Sequence, residues 1–368
     1  MTTTARAAVL ETASAPFVAT DIEVGDPGTG EVLIKVVAAG LCHTDLGVQA
    51  GGIPFPLPGV IGHEGAGVIA AVGAGVEGFE VGDKVLMSFT SCGECDNCAS
   101  GHPAYCSTWL PRNLIGAVRG DDSATLSRDG VELGAHFFGQ SSFASYAIAD
   151  QRSLVKVSPD ADLTVLAPLG CGVMTGFGSM WNVLDPQEGD TVAVYGTGAV
   201  GLAGLIAAAL RKPSILIAID IVDERLELAR SLGATHTVNA KTEDVVARLA
   251  EITGGAGVTL SFDTTGNPQV ARGALDAAST MGTVLVCGAP PPGTEIPVDI
   301  QGVLGGKQLR GVTMGDAVAS ELIPQLVALH AAGQLPLERF QKRYSVEQLQ
   351  QAADDMHHGV TVKPVIVF

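Results

Sequence analysis

The chain has 368 residues, 46% hydrophobic and 16% charged with 47 glycines, a composition that can bury two cores and excludes a disordered polypeptide. Its 39 acidic against 21 basic residues give a formal charge of −18, so a nucleic-acid backbone or an anionic membrane would be repelled over most of its surface. The start, MTTTARAAVLETASAPF, lacks the cationic head and unbroken apolar core of a secretory signal, and the longest apolar run, Ala199 to Leu210, is too short to span a bilayer, so a cytoplasmic protein is expected.

Residues 1 to about 40 alternate apolar and polar positions, as in EVLIKVVAAG after the turn DPGTG, and predict a β-hairpin followed by a strand. Beyond LCHTDLGVQAGG, three prolines (Pro54, Pro56, Pro58) and repeated VG turns separate short strands, the punctuation of a compact barrel-like β domain. In this stretch Cys42 is followed by His43, Thr44 and Asp45, while His63 and Glu64 stand in GHEGAG. Taken singly, such a cysteine reads as a small buried hydrophobe and such a histidine as a satisfied loop residue.

The run CGECDNCASGHPAYC places Cys92, Cys95, Cys98 and Cys106 with two, two and seven residues between them. Four thiolates that close in sequence can wrap one zinc ion tetrahedrally, and with no open position the site would be structural. A disulfide cluster is the competing reading. Seven cysteines in total, an odd number, and the absence of a secretory signal weigh against it.

Near residue 172 the pattern changes to helix-length apolar stretches alternating with short strands, which predicts βαβ units on a parallel sheet to about residue 313. TVAVYGTGAVGLAGLIAAAL combines a buried strand, Gly196, Gly198 and Gly201 in GxGxxG spacing, and an apolar helix. The first glycine permits the turn, the second admits a pyrophosphate, and the third lets the helix pack on the strand. The following strand ends in Asp220, nineteen residues after Gly201, where a carboxylate accepts hydrogen bonds from the adenosine ribose and repels a 2′-phosphate. NAD is therefore favoured over NADP, with Arg225 nearby as the one group that could recruit a phosphate. Asp220 alone could also be a plain helix cap. The last fifty residues predict two amphipathic helices, SELIPQLVALHAAG and SVEQLQQAADDMHHG, and a final strand, VKPVIVF.

Together these features resemble the zinc-dependent medium-chain alcohol dehydrogenases over nearly the whole chain. The matching motifs are GHE with Gly67, Gly73 and Val76, the four-cysteine loop, LGCGVMTGFG, the dinucleotide unit and the C-terminal strand. The resemblance implies an α/β protein: a GroES-like β-barrel catalytic domain over 1–172 that carries the structural zinc loop, a Rossmann NAD-binding domain over 173–313, and a return to the catalytic domain over 314–368. It also implies two zinc ions per chain and NAD as cofactor. The catalytic zinc would be held by Cys42, His63 and Cys171 with a fourth position left for water or substrate. Glu64 would sit behind the metal as a transient ligand, and Asp45 would orient the His63 ring.

Thr44 takes the place of the family's hydroxyl that accepts the substrate proton. Gly47 stands where some members carry a relay histidine, so the proton would leave through cofactor ribose and water or another group. His43 and Lys363 align with contacts to the cofactor pyrophosphate, and Thr175 with a residue packed against the nicotinamide. Phe89, Phe137 and Phe138 fall where the family lines its substrate channel. The remaining histidines, His102, His136, His236, His330, His357 and His358, are expected to be structural or exposed.

Within the family, CHTD, a non-histidine at the relay position and GxGAVG resemble the aryl-alcohol or benzyl-alcohol dehydrogenases, with related branches acting on allylic terpenoid alcohols such as geraniol. The expectation is reversible, NAD-linked oxidation of a primary aromatic or allylic alcohol to its aldehyde. Thiol-dependent formaldehyde oxidation, of the S-hydroxymethyl-glutathione type, is the alternative on the same scaffold, and a non-catalytic zinc- and NAD-binding protein is the alternative of another class. The family's Rossmann sheets usually pair edge to edge through the strand near Gly311, which implies a homodimer or homotetramer.

Overall fold

The computed structural model describes residues 2–115, 119 and 123–368. The chain divides into two units, Met1–Cys171 with Val318–Phe368, and Gly172–Ala317.

The first unit is built from two sheets. The alternating N-terminal segment folds as an antiparallel hairpin, Thr3–Leu10 on Phe17–Val24, flanked by Gly59–Val60 on one side and by Leu126–Arg128 and Val131–Leu133 on the other. The second sheet is centred on Glu31–Gly40, where Val32, Ile34 and Val36 send alternate side chains into a core with Ile69, Val85, Met87, Ala147 and Ala149. One side of that strand pairs along its length with Gly65–Val72. The other side is shared: residues 31–35 pair with Tyr146–Asp150, and residues 38–40 with the C-terminal strand Lys363–Val367. The chain end is thereby stitched beside Gly40, two residues before Cys42.

The two C-terminal helices form at Ala319–Ala331 and Leu349–His357. The second starts later than the apolar pattern predicts, because Ser345 and Gln348 form a reciprocal capping box around the short 3-10 turn Val346–Gln348.

The second unit is a six-stranded, all-parallel sheet ordered His236–Asn239, Ile215–Asp220, Thr191–Tyr195, Val258–Asp263, Ala278–Val286, Gln308–Gly311. This is the doubly wound order of dinucleotide-binding sheets, with the reversal beside Thr191–Tyr195. Buried β-branched and small residues, including Ile217, Ile219, Val238, Val258 and Val284, fill its core. Helix Ala199–Arg211 follows the first strand and buries Gly201 to Ala208. It stops where Lys212 takes a left-handed conformation at φ 58°, directly before Pro213, which cannot continue a helix. Among the described residues, no single helix is long and apolar enough to cross a membrane.

Candidate active site

Cys42 lies at the mouth of helix His43–Gln49, where Asp45, in the third helical position, accepts the Cys42 N–H at 2.9 Å. The other oxygen of the same carboxylate accepts the His63 Nδ1–H at 2.9 Å, and both Asp45 and His63 are fully buried. Helix capping and imidazole orientation thus fall to one residue. With Nδ1 engaged, Nε2 is left as the free apex of the ring, buried and without a hydrogen-bond partner. Ligand atoms of Cys42, His63, Glu64 and Cys171 all lie within 4.8 Å of one another. Two sulfurs and an unsatisfied imidazole nitrogen this close are a soft donor set suited to zinc, so these residues fit the metal that the sequence implies.

Contact with Cys171 pulls the Cys42 thiol well below its ordinary range despite burial, with further help from His63, while the same contact and burial push Cys171 up. Burial draws the His63 imidazole down, but the Asp45 carboxylate and the Cys42 sulfur outweigh it and hold the ring at about 10. The same negative neighbours would favour a cation in the proton's place, and a metal would have to displace that proton to bind Nε2.

Behind the cluster, Lys363 is 2% exposed. Its ammonium reaches both Glu64 oxygens, at 2.7 and 2.6 Å, and donates to the Leu41 carbonyl at 3.0 Å. Two of its protons are hydrogen-bonded inside the unit, to Glu64 Oε1 and the Leu41 carbonyl. Burial pushes the Glu64 carboxyl up and Lys363 counters it, as expected of a buried ion pair.

Thr44 Oγ1 lies 3.7 Å from Cys42 Sγ, and His43 is exposed at the start of the helix. Phe138 stacks on the His63 ring, with centroids 4.3 Å apart, and Phe137 meets it edge-on at 5.4 Å. Both are buried, as is Phe89.

The four-cysteine loop closes on itself. Cys92, Cys95, Cys98 and Cys106 also bring their sulfurs within 4.8 Å of one another, and all are free thiols, so no disulfide forms there. Backbone N–H groups point at the sulfurs: Cys92 at Cys106, Cys95 at Cys92 and Ser107 at Cys95, at 3.3 to 3.4 Å. Such donors stabilise thiolates, and the Ser107 N–H leads in pulling Cys95 down to about 5. A loop already wound around its sulfurs, with amides aimed at them, fits a tetrahedral metal.

In the second unit Gly196 sits at φ 85°, and a Cβ on Gly201 would come within 1.8 Å of the Gly196 carbonyl, so the turn and the helix packing both require glycine. Nothing lies within 4 Å of a Cβ built on Gly198, the open side of the turn. Asp220 takes the amide and hydroxyl of Thr197 on one oxygen, at 2.6 and 2.7 Å, and the amides of Ile221 and Val222 on the other, at 2.7 and 3.1 Å. It therefore caps its own strand end and ties the glycine turn in place. Arg225 is partly buried with its Nε unpartnered, and Thr175 is buried with its hydroxyl 3.8 Å from Met314 Sδ.

Three side chains escaped sequence reasoning: Thr197, Ser88 and Gln140. Thr197 lies inside the glycine motif and could have been found there. Ser88 and Gln140 belong to no motif.

A soft, buried donor cluster on a β unit, together with a doubly wound dinucleotide-type sheet, is the combination expected of a metal-dependent, dinucleotide-linked dehydrogenase. Residues 28–159 match the alcohol dehydrogenase GroES-like domain and residues 199–332 the zinc-binding dehydrogenase domain. The chain is 40% identical over 366 residues to a geraniol dehydrogenase of Castellaniella defragrans, covering 99% of this chain and 98% of the relative. It superposes on the crystal structure of benzyl alcohol dehydrogenase from Acinetobacter calcoaceticus with TM-score 0.95 at 42% identity, covering 100% of this chain and 99% of that one. An S-(hydroxymethyl)glutathione dehydrogenase of Synechocystis is 35% identical over 367 residues, 98% of this chain and 99% of the relative. The chain belongs to the zinc-dependent medium-chain alcohol dehydrogenases, with their GroES-like and Rossmann domains.

Proposed function

We propose that this alcohol dehydrogenase oxidises a primary aromatic or allylic alcohol to its aldehyde with NAD as hydride acceptor, reversibly. The observation that carries the reading is the cluster of Cys42, His63 and Cys171 with a buried, unpartnered Nε2. In this reading those three residues hold a catalytic zinc, and Cys92, Cys95, Cys98 and Cys106 a structural one. A zinc ion so held supplies a Lewis acid that brings alcohol deprotonation within reach of neutral pH.

The chain's own groups do the rest. Asp45 fixes the His63 tautomer, Thr44 takes the substrate's hydroxyl proton, and with Gly47 offering no relay side chain the proton leaves through solvent or cofactor hydroxyls. Glu64 with Lys363 keeps a neutral ion pair behind the donors. Gly196, Gly198 and Gly201 cradle the cofactor pyrophosphate, His43 adds a side-chain contact to it, Asp220 selects against a 2′-phosphate, and Thr175 packs on the nicotinamide.

Phe138 and Phe137, packed on His63, and Phe89 favour a flat apolar alcohol. Similarity to the geraniol and benzyl alcohol dehydrogenases supports the same choice. Similarity to the glutathione-adduct dehydrogenase favours the second reading, oxidation of a thiol–formaldehyde adduct. The strand Gln308–Gly311, exposed along its length at the sheet edge, is the proposed pairing edge of a homodimer or homotetramer.

The test is NADH formation with benzyl alcohol, cinnamyl alcohol, geraniol, ethanol and S-hydroxymethyl-glutathione in parallel. Aromatic or allylic alcohols are expected to lead in kcat/KM by orders of magnitude. Turnover of the thiol adduct alone would replace the substrate assignment and leave the family unchanged.

A further inference from the structure

We propose that the loop from His136 to Phe143, and Gln140 above all, is a positioning device that sets the geometry of the metal centre. The loop runs along the segment that presents His63 and satisfies four successive carbonyls of it. Ser141 Oγ donates to Val60 at 2.7 Å, the Phe143 amide to Ile61 at 2.9 Å, the Ser142 amide to Gly62 at 2.9 Å, and Gln140 Nε2 to His63 at 3.1 Å. Phe138 from the same loop stacks on the imidazole itself.

Gln140 reaches furthest. It is 1% exposed, and its amide makes three bonds: Nε2 to the carbonyls of His63 and, at 2.9 Å, Ser88, and Oε1 from the Gly65 N–H at 3.0 Å. The residues on both sides of Glu64 are thus clamped by one side chain, and the clamp is anchored on Ser88. Ser88 in turn donates from Oγ to the Gly170 carbonyl at 2.6 Å, one residue before Cys171. Two of the proposed ligands, distant in sequence, are joined through Gln140 and Ser88 with no metal in the path.

The loop holds a conformation that its own sequence disfavours. His136, Phe138 and Ser141 adopt φ of 61°, 53° and 52°, and a left-handed non-glycine residue costs about 1 kcal/mol or more. Such a backbone persists where surrounding contacts over-determine it, and here those of Phe138 and Ser141 include the His63 ring and the Val60 carbonyl.

The inference rests on the reading that Cys42, His63 and Cys171 hold zinc, so the experiment separates the two. Zinc content and release to a chromophoric chelator are measured on the purified full-length protein, together with the absorption spectrum after cobalt replaces the catalytic zinc. The parent is expected to hold two zinc ions and Cys42→Ser one. A parent with one or none, or a Cys42→Ser protein that keeps both, overturns the zinc reading itself.

With that reading standing, Gln140→Leu is expected to weaken zinc at the Cys42 centre about 10- to 100-fold, as loss of a buried outer partner does, and to shift the cobalt spectrum while the four-cysteine site keeps its ion. Ser141→Ala, a smaller change that removes the loop's bond to the Val60 carbonyl, is expected to move the same two readouts in the same direction, and it decides the matter should Gln140→Leu not fold. Unchanged release and an unchanged cobalt spectrum, with only a lowered melting temperature, would reduce the loop to ordinary packing and overturn the inference.

Discussion

At the scale of single residues, Asp45 binds two elements that sequence separation keeps apart: one oxygen caps the helix begun at Cys42 and the other holds His63 Nδ1, both at 2.9 Å. Removing it frees the imidazole to rotate or to protonate on the wrong nitrogen, and leaves a buried N–H unsatisfied at a cost of about 1–3 kcal/mol. Asp45→Ala should weaken zinc at the Cys42 centre about 10- to 100-fold, read by chelator competition, while Asp45→Asn, which keeps one acceptor, should fall between it and the parent. Equal zinc affinity in all three proteins would remove Asp45 from the metal's support. Asp45 was legible because the CHTD motif carries it. Gln140 was not, since an amide bears no charge or ligand chemistry that a pattern can flag, and its partners His63 and Ser88 lie 77 and 52 positions away. For Asp220 the spacing after the glycine motif was visible, whereas its four donors from Thr197, Ile221 and Val222 emerged only once strand end and turn were folded together.

Elements differ in how much of their structure is local, and legibility follows that difference. The loop Cys92 to Cys106 carries its whole ligand set within one short segment, so its spacing already announces one centre, and the folded loop brings the four sulfurs within 4.8 Å. Likewise the helix Ala199–Arg211 and its glycine turn are fixed by neighbours in sequence. The strand Lys363–Val367 shows the opposite case: by its pattern alone an apolar run of that length could close either sheet, and apart from the resemblance its place rests on long-range pairing, as of Val365 with Gly40. The loop His136–Phe143 was silent as well, because left-handed turns are expected at glycine and three of its four positive-φ residues are not glycine. Locality also governs a prediction. On the proposed reading the four-cysteine loop is held by its metal and has little other core, so Cys98→Ser should lower the melting temperature and admit proteolytic cleavage between residues 93 and 110, with zinc at the Cys42 centre retained. Loss of both ions together would show that the two centres are not independent, and an uncleaved loop that its order does not depend on metal.

Across the whole molecule 39 acidic residues make carboxylate titration the main source of pH dependence as pH falls. Asp355 accepts from Tyr344 Oη at 2.6 Å, Gln351 Nε2 at 2.7 Å and Lys342 Nζ at 3.1 Å, and these donors, Tyr344 foremost, hold its carboxyl below the usual range. Bonds from Arg128 and from Thr164 do the same for Glu11 and Asp162. A depressed carboxylate binds its proton more weakly folded than unfolded. Its contribution is therefore complete above the ordinary carboxylate value of about 4 and disappears as pH falls through the lower folded value. Zinc thiolates protonate in acid too, so acid unfolding of the parent alone cannot isolate these groups. The difference between the parent and Asp355→Asn can, because the metal term is common to both. The urea midpoint of Asp355→Asn should lie below the parent's from pH 7 down to about 5. The two should converge as pH falls through the lowered folded value of Asp355, where the carboxyl is protonated in the parent as well. A gap that stays constant across the whole range would mean that Asp355 acts through packing, and that the bonds from Tyr344, Gln351 and Lys342 do not distinguish its charged form.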